Sequence, residues 1–227
     1  FLSFIQRPFG IIPDPRALPR DIFLSAINSA PLTPEIRRVI RGEEEALASG
    51  FEILARLTTG GVHLSHSPGE RDLFDSYKGI TLHSFKGKHP AGNVGVQIHH
   101  IDPVKNREDR VWTIKLQHVV MIGRLFSRGE LSFDLTCFCG GPGAPRKGYL
   151  PGRTGIPGAS ILGEEVDPRE TRIISGDPLT GKRIGSGGFL GFYDNQLSCL
   201  PEVKEPRLLG WLFPRLNQSP LGGTHSP

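Results

Sequence analysis

Apolar positions along the chain change their spacing repeatedly, and each spacing predicts a different element. IFLSAI at 22–27 is a short apolar run between charged and Asn/Ser/Pro punctuation, which predicts a buried strand. Ile36, Val39, Ile40, Leu47, Phe51, Leu54 and Leu57 then recur at three, four or seven residues, one helical stripe that Gly42 and Gly50 weaken without shifting. Thr33 stands where an N-cap belongs, with Pro34 at the first helical position and Glu35 near the positive end of the dipole. GVHLS at 61–65 and GITLHSF at 79–85 predict strands separated by the turn-rich HSPGERD. VWTI at 111–114 predicts another strand, and Leu116, Val119, Val120, Gly123, Leu125 and Phe126 a helix ended by Gly129. Strands alternating with helices imply a parallel, at least partly doubly wound sheet.

From residue 130 the texture changes. LSFDLTCFC reads as a strand, GGPGAPRKGYLPGRTGIPGAS as a succession of tight turns, and RIISG and FLGFYDNQLSCL as further strands. The domain expectation is therefore an α/β domain over 1–129, a small β-rich domain over 130–214, and a disordered tail or cloning residue over 215–227.

With 37% hydrophobic and 22% charged residues in 227, the chain is long and apolar enough to bury a core. Its 29 Gly and 20 Pro concentrate after residue 139 and forecast interrupted regular structure. The net charge of +4 is scattered, with no basic tract and no aromatic interleaving, so nucleic acid is not an expected partner, whereas an anionic surface or acidic partner fits. Three cysteines make no disulfide framework and point to a reducing compartment. No signal peptide or apolar run of membrane-spanning length is evident, so any membrane role is expected to be peripheral. The opening FLSFIQRPFG lacks an initiator Met, and the chain reads as a piece of something longer.

Candidate chemistry is sparse. GDPLTGKR at 176–183 has the glycine spacing and lysine of a phosphate loop, but Arg183 replaces the Ser or Thr that would hold magnesium, so a turn between strands is the stronger reading. The dinucleotide fingerprint fails because Leu190 takes the place of its third glycine. His63 with His66, and His99 and His100 with Asp102, lack full zinc spacing, and Cys137 and Cys139 alternate with Phe138 as small core residues of a strand. No nucleophile elbow is present, and no catalytic residue and no metal site is expected. GKHPAGNVGVQIHHIDP at 87–103 packs three histidines, three glycines and two prolines into seventeen positions. Gly92 and Gly95 allow close backbone approach, Pro90 can open a helix, and Asp102 before Pro103 would close it. A structural corner is the favoured reading over a ligand-adjacent loop for His89, Pro90, Gly92, Gly95, His99 and Asp102.

HPAG at 89–92, QIHHIDPV at 97–104, VWTI with MIGRLF at 121–126, RIISGDPLTG at 172–181, and LGFYDNQLS at 190–198 with LLGWLFP at 208–214 occur in an ordered series. That series resembles the A subunits of the sodium-translocating NADH:quinone oxidoreductase, from RPFG at 7–10 to Pro214. The resemblance implies a Rossmann-like domain followed by a β-grasp domain of the soluble-ligand-binding type. It implies a peripheral subunit on the cytoplasmic side of a bacterial inner membrane, within a respiratory-chain oxidoreductase and sodium translocase. It further implies partnership with the other subunits, ubiquinone as the substrate of the complex, no redox cofactor in this chain, and quinone-proximal residues in the segment Phe4, Ile5, Arg7, Pro8 and Phe9. There Phe4, Ile5, Pro8 and Phe9 are expected to offer an apolar face and Arg7 a donor. The family's THIH reads VQIH here, keeping only His99 of the pair, and Phe192 and Asp194 stand where basic residues or histidine are common. A scaffold that has lost ligand binding is the alternative.

Overall fold

The computed structural model describes residues 1–163, 166–167 and 169–202. WL-P at 211–214 and the 215–227 tail lie outside the described residues. Two five-stranded sheets share the chain. The first is built from β1 (Ile5–Arg7), β2 (Asp21–Ser25), β3 (Val62–His66), β4 (Thr81–Ser84) and β5 (Val111–Thr113) in the order β1-β5-β2-β3-β4. The pairings from β5 through β2 and β3 to β4 are parallel, while β1 adds an antiparallel edge beside β5. That edge strand escaped the sequence reading because three residues carry no measurable period.

Both faces of this sheet are covered, as parallel strands require. Ile22 and Leu24 of β2 point into a core shared with α2 (Glu44–Arg56) and α4 (Leu116–Arg128), through Leu47, Phe51, Leu54 and Val119. The intervening Phe23 points the other way, against Ile98 of α3 (Val94–Ile101) and Val111. Alternation along one strand thus feeds two cores.

The stripe from Ile36 to Leu57 is not one helix. A single turn, α1 (Ile36–Val39), precedes α2, and the chain breaks between them where Gly42 adopts φ +81°, a left-handed conformation that no helix interior accepts. Nor does Thr33 cap it: its hydroxyl donates to the Ala30 carbonyl at 3.0 Å, and Pro34 precedes the helix by two residues. Gly50, by contrast, lies within α2, and a Cβ there would come 2.5 Å from the Val119 carbonyl oxygen. At Gly123 of α4 a Cβ would come 1.7 Å from the Ala46 carbonyl oxygen. The two helices therefore cross backbone to backbone. The remaining ends follow the sequence: Gly129 closes α4 at φ +71°, and Asp102 leaves α3 in extended geometry before Pro103.

The second sheet joins β6 (Asp134–Gly140), β7 (Gly148–Arg153), β8 (Thr171–Ser175), β9 (Lys182–Ile184) and β10 (Gln196–Pro201) in the order β7-β6-β10-β8-β9. The pairing of β6 with β10 is parallel and the rest are antiparallel. The five-residue α5 (Gly158–Leu162) buries Ile161 and Leu162 in the same core as Cys137, Cys139, Leu197 and Cys199. GDPLTGKR forms the β8–β9 turn, where the Asp177 carboxylate accepts from the N–H groups of Leu179 and Thr180 and from Thr180 Oγ1.

Helix α4 ties the two sheets together. Its Val119 and Val120 belong to the first core and its Met121 to the second. Arg124 on the same helix pairs with Glu43 ahead of α2 and donates to the Asp134 carbonyl at 2.8 Å at the start of β6. Replacing Gly123 with alanine is expected to lower the unfolding free energy by about 3 kcal/mol, because the carbonyl it meets belongs to backbone. That outweighs the gain of about 1 kcal/mol in helix propensity. Urea denaturation of the variant beside the parent chain measures it, and equal stability would mean that the helices do not meet there.

Candidate functional site

In an open parallel sheet a ligand crevice forms beyond the carboxyl ends of the strands, where successive strands depart to opposite sides. Here β3 lies on one side of β2 and β5 on the other, so the switch falls between β2 and β5. A cleft of about 800 Å³ opens there, between the two sheets. Ile5, Ser25, Ile27, Ser29, Thr113 and Ile114 from the first sheet's strands and their ends face Gly176, Asp177, Tyr193, Asp194 and Gln196 from the second.

The cleft is shaped by the segment before α3. Gly92 packs against the chain leaving β2 so closely that a Cβ would come 2.7 Å from the Ile27 carbonyl oxygen and 2.6 Å from Ser29 Oγ. Ser29 Oγ accepts from Gly92 N–H at 2.8 Å and lies 3.2 Å from His89 Nδ1. Ser25 Oγ donates to the Gly92 carbonyl at 3.0 Å and accepts from Gln97 Nε2 at 2.8 Å, and the same amide reaches the Ala91 carbonyl. Gln97 is fully buried, so this polar knot is shielded from water. Pro90 does not open the helix. It belongs to a preceding turn, where its carbonyl accepts from Asn93 N–H at 2.8 Å, and α3 starts at Val94 because Gly92 is held against β2 first.

On the far wall, Asp194 accepts from Ser175 Oγ at 2.7 Å, and Lys115 Nζ stands 4.0 Å from Asp194 Oδ1. Protein crowds around the Lys115 ammonium although 57% of the side chain is reachable, and that desolvation lowers its pKa against the pull of Asp194 and Asp177. Burial alone would raise the Asp177 carboxyl, but hydrogen bonds from Thr180 Oγ1 and the Leu179 and Thr180 amides outweigh it and hold the pKa down. Arg7 is half-buried, which lowers its pKa, and its Nε has no hydrogen-bond partner. Below the cleft, His118 is fully buried between the sheets, its ring 5.0 Å from that of Phe192. Desolvation pushes its pKa down to about 4, opposed by its hydrogen bond to the Phe192 carbonyl.

Of the residues singled out in the sequence, Ile5, Arg7, His89, Gly92 and Gly95 line the cleft. The expected apolar face over Phe4, Ile5, Pro8 and Phe9 does not exist as one surface. Alternation along β1 turns Phe4 into the core, where its ring lies 5.2 Å from that of Trp112, and leaves Ile5 and Arg7 on the cleft side. Pro8 and Phe9 project into solvent at the turn that follows. Pro90, His99 and Asp102 stand apart from the cleft wall, His99 exposed on α3 and Asp102 paired with Arg20 at 3.2 Å. Cys137 and Cys139 are fully buried in the second core. Ser25, Ser29, Lys115, Gln117 and Asp194 were not foreseen as site residues, although the first four lie at or just past the carboxyl ends of β2 and β5, where parallel strand order places a crevice.

Residues 1–131 match the family model described as "NqrA second alpha/beta domain". The chain belongs to the NqrA family. Among curated relatives, the NqrA protein of Yersinia pseudotuberculosis serotype O:1b (strain IP 31758), named as the A subunit of a Na(+)-translocating NADH-quinone reductase, is 36% identical over 209 residues, covering 92% of this chain and 46% of the relative. Its counterpart in Marinomonas sp. (strain MWYL1) is 36% identical over 211 residues, covering 92% and 47%. The chain thus spans about half the length of the curated relatives it matches. Among solved structures, an NAD+-reducing NiFe-hydrogenase in its H2-reduced state superposes with a TM-score of 0.54 at 12% identity, covering 81% of this chain and 40% of the other, which is a likeness of fold. Among the described residues no helix is long and apolar enough to cross a membrane.

The buried His118 of this NqrA chain makes stability depend on pH. Its pKa is about 4 folded against 6.5 for the free side chain, so its contribution is complete above pH 6.5 and is lost as pH falls toward 4. A separation of that size is worth about 3 kcal/mol. His118→Gln is expected to flatten the stability profile between pH 6.5 and 4 by close to one proton, measured by urea titration at stepped pH. An unchanged slope would show that His118 takes up its proton in the folded state.

Proposed function

We propose that the chain works as part of a peripheral subunit of a sodium-translocating NADH:quinone reductase, docking on the other subunits at the cytoplasmic face of a bacterial inner membrane. It assists ubiquinone binding and holds no redox cofactor of its own. The observation that carries this reading is the NqrA match over residues 1–131 together with about 36% identity to curated NqrA proteins across nearly the whole chain.

The first sheet, parallel from β5 to β4 with helices on both faces, fits a Rossmann-like domain. The second, with a parallel central pair and a short packed helix, fits a β-grasp domain, and the boundary near 130 separates the two. The absence of a redox cofactor is supported by the segment after β2, which reads Ala26-Ile27-Asn28-Ser29-Ala30-Pro31 where a dinucleotide-binding sheet carries its glycines.

For the quinone, we take Ile5 and Arg7 from the five candidates, a choice supported by their position on the cleft wall. Ile5 and Arg7 share the cleft with Ile27, Val94 and Leu116, an apolar wall with donors at its margin, and the volume suits a substituted ring. Pro8 and Phe9, exposed beside it, are assigned to the docking surface. In the assembled complex, Ile5→Ala is expected to raise the KM for a short-chain ubiquinone at least fivefold, while Phe9→Ala leaves it within twofold. An unchanged KM for Ile5→Ala would contradict this placement and favour the scaffold alternative.

A further inference from the structure

A 1,4-quinone carries an acceptor at each end of its ring, and Arg7 can meet one of them. The register of the first sheet brings a donor for the other. Arg7 and Ile5 of β1 pair with Val111 and Thr113 of β5, so all four side chains leave the sheet on one face. The strand geometry continues past Thr113. Ile114 N–H donates to the Phe23 carbonyl at 3.2 Å, and Lys115 remains extended, with φ −86° and ψ 148°, before α4 begins. Lys115 therefore follows Thr113 on the face that bears Ile5. Arg7 and Lys115 stand at opposite ends of that row, about 13 Å apart along the strand at the rise of an extended chain. Both line the cleft, with Ile5 and Thr113 between them.

Many other donors on the cleft wall are already engaged. Thr113 Oγ1 donates to the Ile5 carbonyl, Tyr193 to the Leu2 carbonyl, Thr180 Oγ1 to Asp177, Asn28 to the Pro34 carbonyl and Gln196 to the Leu32 carbonyl. Lys115 is in a different position. Its side chain is 57% accessible, and Asp194 Oδ1 stands 4.0 Å from Nζ, beyond hydrogen-bond distance. Asp194 is fixed by Ser175 Oγ at 2.7 Å, so it attracts the ammonium without consuming its three N–H groups. Lys182, the other lysine on the wall, belongs to β9 at the outer edge of the second sheet and has no place in the row with Ile5.

We propose that Lys115 is the second carbonyl donor for the quinone ring: its ammonium hydrogen-bonds one oxygen while Arg7 holds the opposite one, with the ring over Ile5 and beside Ile27, Val94 and Leu116. The inference rests on the quinone reading and adds a substrate requirement to it, two acceptors in para positions. An ortho-quinone presents both oxygens on one side of its ring and cannot bridge the two ends of the row. A hydrogen bond from a charged donor is worth about tenfold or more in affinity.

The assembled complex, assayed with a short-chain ubiquinone, tests this through Lys115→Met, which keeps an unbranched side chain and removes the charge. KM is expected to rise at least tenfold while kcat stays within twofold, the mark of lost binding to the ring. Lys115→Arg, which restores a cationic donor, is expected to return KM to within threefold of the parent. Lys115→Ala is the second variant, with the same rise expected, should methionine disturb assembly. An unchanged KM for Lys115→Met where Ile5→Ala raises it overturns the role of Lys115 and leaves the quinone reading standing. Unchanged values for both variants overturn both. An equal rise for Lys115→Met and Lys115→Arg would mean that the shape of the side chain matters and its charge does not, and the proposal would fall.

Discussion

The contact between Gly92 and the chain leaving β2 governs the arrangement of the cleft. With no side chain at 92, the backbone ahead of α3 lies against Ile27–Ser29 and exchanges hydrogen bonds with Ser25 and Ser29, while Gln97 from the first turns of the helix completes the knot. Each of those polar groups is buried or half-buried, so its bonds are worth more than at a surface, and loss of one partner leaves another group unsatisfied. The start of α3 is thereby fixed over the point where β2 and β5 diverge, and that placement decides which side chains the cleft presents.

The second constraint is α4. Because it is packed backbone to backbone on α2 through Gly50 and Gly123, and contributes to both cores, the two sheets are held at a fixed separation by one rigid element. Tyr149 from β7 adds to this: its hydroxyl accepts from Glu35 N–H at 2.7 Å and the Arg38 guanidinium lies over its ring. Tyr193 likewise donates to the Leu2 carbonyl at 2.7 Å, fastening the segment that leads into β1. The space between the sheets is thus a walled crevice rather than a loose junction, with Arg7 and Lys115 on the first lobe's side and Asp177, Lys182 and Asp194 on the second's.

Much of the fold was legible in the sequence because long periodic segments declare themselves. The parallel strands at 22, 62 and 111, the helix over 116–128 with its closing Gly129, and the change of texture near 130 follow from spacing and turn residues alone. What escaped was decided by contacts between distant segments. The stripe from Ile36 to Leu57 kept its period across a break that Gly42 imposes through its left-handed backbone. Phe4 to Phe9 read as one apolar face because composition carries no information on strand alternation in a three-residue edge. Lys115 and Gln117 were ordinary residues of an amphipathic helix until strand order put their helix at a switch point. The seventeen-residue stretch of histidines and glycines forms one wall of the crevice: Gly92 packs it against the chain leaving β2, and His89 lines the crevice beside Ser29.

The most direct test of this account is amide hydrogen exchange on Gly92→Ala beside the parent chain, followed residue by residue over 89–101 and over the cores of α2 and α4. If the close approach at Gly92 seats α3, protection across α3 falls by at least tenfold while α2 and α4 keep theirs. Undiminished protection in α3 would show that the helix is held without that contact, and the explanation of the cleft given above would be wrong.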